Sequence, residues 1–354
     1  MRTEMCLNVT NINQGLPTEM EHYYVVDEKE IAVRNEPVPE VASDEVLIET
    51  AYTALSPGSN LHSYRTGGSS ASDVLYMGSG IVRDVGSMVE RFTPGDRVAG
   101  VPMGHQEYNV LPETEPQLVS VPADVDLKAA SISYLSAWAV SALHLCSYAA
   151  AENVVVVGQG LVGTSAALVA HHMGARVVTL DIDPVRVEHA RNLGVGPTVN
   201  PNEDHSAENI TDFLGDRGAD IIIETSGAWS GLVQAISLAR DYTRIPIMGI
   251  YRNPPSPEQT EALHDELFAY PSTFHYQRLN IIGCGSDPDE VGEGPQMATR
   301  RRNYDYVLEQ AAAGSLALDR LVTHCFPAAA IESTLDRMVA GDAKLVGVVF
   351  DWNS

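Results

Sequence analysis

Gly158, Gly160 and Gly163 form a Gly-x-Gly-x-x-Gly run directly after the apolar stretch Val154–Val157, and helical periodicity follows over Leu161–Met173. A strand, a glycine turn and a helix start in that order suit the cradling of a pyrophosphate. Gly158 permits the tight turn, Gly160 lets the backbone approach the phosphates, and Gly163 lets the helix pack closely on the sheet. The free N–H groups around Leu161 and Val162, at the helix start, then face the anion. A second apolar run, Arg176–Leu180, ends at Asp181, eighteen residues beyond Gly163. A carboxylate there accepts hydrogen bonds from the adenosine ribose and repels a 2′-phosphate, which points to NAD rather than NADP. Asp183 caps the next helix, with Pro184 in its first turn and Gly194 closing it. Ser226, at the end of ADIIIETSG, joins the cofactor set, while Arg186 reads either as a cofactor neighbour or as a solvated helix position. The plain alternative for the glycines is a tight turn without a ligand, and for Asp181 a soluble strand end.

The elements that must hold these residues are legible as an alternation. From 153 to 285 the β-rich runs NVVVVG, RVVTLD, ADIIIETSG, RIPIMGI and LNIIGCG are separated by helical segments. Runs apolar on both faces and joined by helices predict an α/β fold, a Rossmann-type doubly wound parallel sheet with right-handed crossovers. The stretch 252–277 is long, polar and carries several prolines, so it reads as a loop beside the ligand cleft. Earlier in the chain, residues 45–52 and 80–86 read as strands, and 91–101 holds a Pro-Gly turn leading into another. Helical periodicity first persists over 128–149 and returns after 295, and KLVGVVFDW predicts a terminal strand.

Bulk properties narrow the classes. A chain of 354 residues suits two domains, and it holds no run of eighteen apolar residues that could cross a membrane. The opening MRTEMCLNVTNINQG lacks a signal-like apolar core, so the expectation is a cytoplasmic protein. Cys6, Cys146, Cys284 and Cys325 are scattered, which fits buried free thiols rather than a disulfide framework or zinc knuckle. The net charge of −25 comes from 47 acids against 22 bases, only three of them lysines, and disfavours nucleic acid as a partner. Adaptation to high salt and a merely acidic surface both account for that balance. Unfolding measured against salt concentration separates them, because only the first requires stability to rise with salt.

Across essentially its whole length the chain resembles the medium-chain dehydrogenase/reductase family. The resemblance rests on EVLIETAYTALSPGS, GSGIVRDVGSMVERFTPGDRVAG, the glycine loop with Asp181, GADIIIETSG, LNIIGCG and the terminal KLVGVVF, in the family's order. It implies a GroES-like β-rich catalytic domain built from residues 1–150 and 289–354 around a Rossmann domain at 151–288. It also implies a cleft between the domains and a homodimer or homotetramer. Zinc-dependent members place a cysteine, a histidine and a cysteine or glutamate where this chain has Ser56, Tyr76 and Tyr134. Hydroxyls and neutral phenols are poor zinc ligands, so no bound zinc is expected. The segment Ser56-Pro57-Gly58-Ser59-Asn60 resembles a Ser-Pro-Gly-Thr-Glu branch of the family, with Asn60 in place of the glutamate.

Without zinc, a substrate oxygen needs hydrogen-bond donors and its proton needs a relay. Tyr76 and Tyr134, helped by Ser56 or Ser59, are candidates for that work, set against a purely space-filling role. His62 and His105 are candidates to touch substrate, as are Tyr270, His275 and Tyr276 before the last Rossmann strand. His171 and His172 read as structural or solvated. The expected function is NAD-dependent, zinc-independent interconversion of a secondary alcohol (a polyol, sugar or specialised metabolite) and a ketone. Reduction of quinones or enones, and a non-catalytic NAD-binding sensor or structural subunit, are the alternatives.

Overall fold

A computed structural model describes residues 15–67, 72–73, 75–115, 117–203, 206–269, 271, 273–285 and 299–354. Its parallel sheet has six strands in the spatial order Thr198–Val199, Arg176–Leu180, Asn153–Val157, Ala219–Glu224, Ala239–Ile247 and Asn280–Gly283. The chain starts this sheet at Asn153–Val157, winds outward to one side, then crosses back and winds to the other. The strand order therefore reverses at Asn153–Val157, and a doubly wound sheet opens a crevice at such a point. Every residue of Asn153–Val157 and Ala219–Glu224 is buried, as expected of central strands covered by helices on both faces.

The remaining sheets are built from residues on either side of this one. A seven-stranded sheet runs in the order His324–Pro327, Val348–Asp351, Glu45–Ala54, Leu75–Val85, Arg97–Gly104 and Val119–Ser120, with Tyr108–Pro112 also pairing Glu45–Ala54. The C-terminal strand thus docks beside an N-terminal one, Val349 opposite Ala54. A smaller sheet joins Glu30–Pro37, Glu19–Asp27 and Ser72–Asp73. One apolar core runs through both halves: Ala54, Met77 and Val349 belong to the same buried cluster as Val154, Leu161 and Ile223. The two walls of the crevice are therefore held by continuous packing.

Three expectations are corrected. The periodicity over 128–149 resolves into separate helices, Leu127–Ala130 and Tyr134–Leu145. Between them the Ser131 and Ser133 hydroxyls donate to the Lys128 and Ala130 carbonyls at 2.8 and 2.6 Å, offering the backbone a local alternative to continuing the helix. The stretch 252–277, expected as a loop, contains the helices Pro257–Leu267 and Thr273–Tyr276. Ser256 and Gln259 form a reciprocal capping box, and Pro257 sits in the first turn, where its missing N–H costs nothing. Cys325 is exposed on the strand His324–Pro327, unlike the buried Cys146 and Cys284; Cys6 lies outside the described residues.

Candidate active site

Register brings the candidate cofactor residues to one edge of the parallel sheet. Leu180 and Glu224 both lie opposite Val157, and Ile247 lies opposite Glu224. The next residues of each strand, Asp181, Gly158, Thr225 and Met248, therefore leave the sheet side by side. They floor a cleft of about 570 Å³ whose far wall carries Ser56, Ser59, Leu61 and Trp138. Of the cofactor candidates, Gly158, Gly160, Leu161, Val162, Asp181 and Ser226 line this cleft.

The glycine loop is tightly specified. Gly158 has φ +90°, which an L side chain rarely tolerates. A Cβ on Gly163 would collide with the Gly158 carbonyl oxygen, so the helix Leu161–His172 can lie this close to the turn only with glycine there. A Cβ on Gly160 would meet nothing within 4 Å, so that residue borders open space. Gly160 caps the helix without a side-chain acceptor, leaving its first N–H groups for an anion. These features fit a bound pyrophosphate.

Asp181 is held rather than loose. One carboxylate oxygen accepts from the Gln159 N–H at 2.6 Å and the other from the Asp183 N–H at 2.9 Å. The same side chain thus ties the glycine loop to the next turn while presenting negative charge to the cleft. Asp183 accepts from the Val185 and Arg186 N–H groups as the expected cap, and Gly194 closes that helix at φ +66°. Arg186 lines the cleft half-buried beside Asp181 and Asp183.

Glu224 escaped the sequence reading. It is fully buried at the end of its strand, accepts from the Ser226 N–H at 2.8 Å and from the Ser226 hydroxyl, and accepts from the Tyr251 hydroxyl at 2.6 Å. Burial and this carboxylate push the Tyr251 phenol well above its ordinary range. A Cβ on Gly249 would run into Glu224 Oε2 and the Gly227 backbone, so only glycine fits beside the buried carboxylate. The signal was an acid closing the otherwise apolar run ADIIIE, a position that demands partners.

On the far wall, Ser56 precedes the helix Pro57–Thr66 and is 5% exposed. Its N–H donates to Asn60 Oδ1 at 2.7 Å, whereas its hydroxyl makes no capping bond. Asn60 thereby fixes the turn that presents Ser56. Tyr76 has its backbone in the strand Leu75–Val85, opposite Met103, and its side chain lies outside the described residues, as does Tyr270. Tyr134 opens its helix and packs edge-on against Tyr304 at 6.0 Å. One turn later Trp138 is the residue of that helix which lines the cleft. His62 is exposed on its helix, and His275 and Tyr276 are exposed elsewhere; none of the three lines the cleft. His171 is exposed and His172 accepts or donates at the Ser315 carbonyl, 3.1 Å away.

His105 is buried away from the cleft. Trp352 Nε1–H donates to the Thr53 hydroxyl at 2.9 Å, and that hydroxyl lies 2.6 Å from His105 Nδ1. Burial, with His22 nearby, pushes the His105 pKa down to about 3. The unfolded imidazole takes its proton below about pH 6.5, and the buried one does not until far lower. Folding stability from this group is therefore present above pH 6.5 and is lost as pH falls from there toward 3. Replacing His105 with Gln should flatten the acid limb of a stability-against-pH curve over that window; an unchanged slope would contradict it.

Comparison with known proteins gives the lineage. A family model described as zinc-binding dehydrogenase matches residues 162–298. The sorbitol dehydrogenase of Bacillus subtilis (strain 168) is 30% identical over 271 residues, covering 66% of this chain and 76% of that protein. The chain belongs to the medium-chain dehydrogenase/reductase family. It is an oxidoreductase acting on CH–OH groups. An Escherichia coli CFT073 alcohol dehydrogenase complexed with NADH superposes with a TM-score of 0.78 at 17% identity, covering 95% of this chain and 100% of that one. A putative zinc-binding dehydrogenase from Sinorhizobium meliloti 1021 bound to NADP gives 0.76 at 19% identity, with 95% and 100% covered. These two share the fold, and a nicotinamide dinucleotide is the family's cofactor.

No three His, Cys, Asp or Glu side chains come together among the described residues. Ser56 and Tyr134 stand where the resemblance would place metal ligands, and Tyr134 packs against Tyr304. The glycine loop carries a sharper test: Gly163→Ala should weaken NADH binding by at least about tenfold, read by fluorescence titration, because helix and turn must separate. Undiminished binding would contradict the packing described.

Proposed function

We propose that this enzyme uses NAD to interconvert a secondary alcohol of the polyol or sugar class and its ketone, without zinc. The observation that carries the proposal is Asp181, fixed by two backbone N–H groups and facing the cleft beside the glycine loop. A carboxylate held there accepts from ribose hydroxyls and meets a 2′-phosphate with repulsion. The sorbitol dehydrogenase relative supports the polyol class.

When bound, the nicotinamide supplies or accepts the hydride. The chain's own residues do the rest. The N–H groups at the start of Leu161–His172 hold the pyrophosphate, and Ser226, braced by Glu224, supports the far end of the dinucleotide. Trp138 and Leu61 wall the cleft against water. Ser56 offers its hydroxyl to the substrate oxygen, and Tyr76, from its place in the sequence, supplies the second hydroxyl. A donor aimed at a developing alkoxide is worth far more in a partly dry cleft than in water. Tyr134, on Tyr304, takes the space-filling role. The division at 1–150, 151–288 and 289–354 then separates cofactor binding from substrate handling. The exposed Ile281 on the outermost strand Asn280–Gly283 supports a homodimer.

The test is hydride transfer from NADH or to NAD across a panel of polyols, sugars, ketones and enones, before and after dialysis against a chelator. Polyol oxidation should survive dialysis, and Tyr76→Phe should lower turnover by at least about tenfold. Activity that disappears with chelator and returns with zinc, or transfer confined to enones, would sink the proposal.

A further inference from the structure

We infer that Arg252 recognises an anionic group, a carboxylate or a phosphate, on the alcohol that enters the cleft. The inference rests on the oxidoreductase reading above and adds the substrate's charge to it.

Position comes first. Ala239–Ile247 lies two places from Asn153–Val157 in the sheet, on the side opposite Arg176–Leu180 and Asp181. At ordinary strand spacing that is about 10 Å from the glycine loop. With ribose recognition at Asp181 and the phosphates at Gly160, the reacting end of a dinucleotide falls toward Met248, Gly249 and Ile250. Arg252 follows two residues after Ile250 and lines the same cleft.

Its hydrogen bond places it against the substrate wall. Arg252 Nη2 donates to the Gly58 carbonyl at 2.7 Å, across the cleft. Gly58 lies in the first turn of Pro57–Thr66, two residues after Ser56, whose hydroxyl is offered to the substrate oxygen. The guanidinium and that hydroxyl therefore share one turn of chain. A polyol-sized molecule can reach both.

Charge completes the argument. The chain carries a net −25, and other arginines take carboxylates: Arg244 pairs with Glu152 at 2.6 Å, Arg240 with Asp220 and Arg83 with Glu49. Arg252 is exposed and forms no ion pair among the described residues. None of the cleft's acids pairs with Arg252: Asp181 and Asp183 accept from backbone N–H groups, and Asp342 pairs with Arg337 at 2.8 Å. A guanidinium has five N–H donors in a planar fork that matches carboxylate or phosphate in bidentate fashion, and a single carbonyl leaves most of them for a ligand.

The experiment is calorimetric binding of gluconate, sorbitol 6-phosphate and sorbitol to the NADH-loaded protein, for wild type, Arg252→Gln and Arg252→Lys. At least one anion should bind the wild type tenfold or more tighter than sorbitol, and which one does separates carboxylate from phosphate. Arg252→Gln should erase that preference, and Arg252→Lys should restore part of it. Equal binding of sorbitol and both anions, binding of none, a preference that survives Arg252→Gln, or a loss of NADH affinity larger than the loss of anion affinity each overturns the inference. Turnover is scored separately, so a protein that binds gluconate through Arg252 yet transfers no hydride contradicts the function while leaving the charge recognition standing.

Discussion

The close approach of Gly163 to the Gly158 carbonyl sets the position of everything else in the cleft. It brings the start of Leu161–His172 down onto the end of Asn153–Val157, so unpaired N–H groups emerge where the sheet's winding reverses. Parallel register then aligns the ends of the neighbouring strands with that point, which is why Asp181 and Ser226 arrive on either side of the loop. The free donors at that point come from backbone geometry, since Gly160 caps the helix without a side-chain acceptor. Asp181 adds a second constraint by accepting from the Gln159 N–H, so the carboxylate that closes Arg176–Leu180 also fixes the glycine loop.

The opposite wall works by different means. Ser56 is presented by a turn that Asn60 closes through its side-chain oxygen, and the wall is anchored by the pairing of the C-terminal strand Val348–Asp351 with Glu45–Ala54. Arg252 then bridges the two walls at Gly58. Buried acids are satisfied on the cofactor side, where Glu224 takes donors from Ser226 and Tyr251, and this leaves the substrate side with hydroxyls and a guanidinium.

Features that depend on local chain geometry were legible in the sequence. The glycine loop, the Arg176–Leu180 strand, and the Asp183 cap with Pro184 and Gly194 all stand where spacing put them, because each is decided within a few residues. Features decided by tertiary neighbours were not. Tyr134 and Trp138 sit one turn apart on the same helix, yet Trp138 lines the cleft while Tyr134 packs on Tyr304. Glu224 read as part of an apolar strand until Tyr251 and Ser226 appeared around it. The prolines of 252–277 suggested a loop because Pro257 ends one pattern and starts another, and the capping box that resolves it spans only Ser256 to Gln259. His105 looked available beside a glycine turn, yet its side chain is spent on Thr53 within the core.

The central claim is that a backbone phosphate cradle combined with a fixed Asp181 selects NAD. Parallel fluorescence titrations of the protein with NADH and with NADPH test it most directly. The account predicts that NADH binds at least about tenfold more tightly, since only the 2′-phosphate of NADPH must approach the Asp181 carboxylate. Equal affinities, or tighter binding of NADPH, would contradict it.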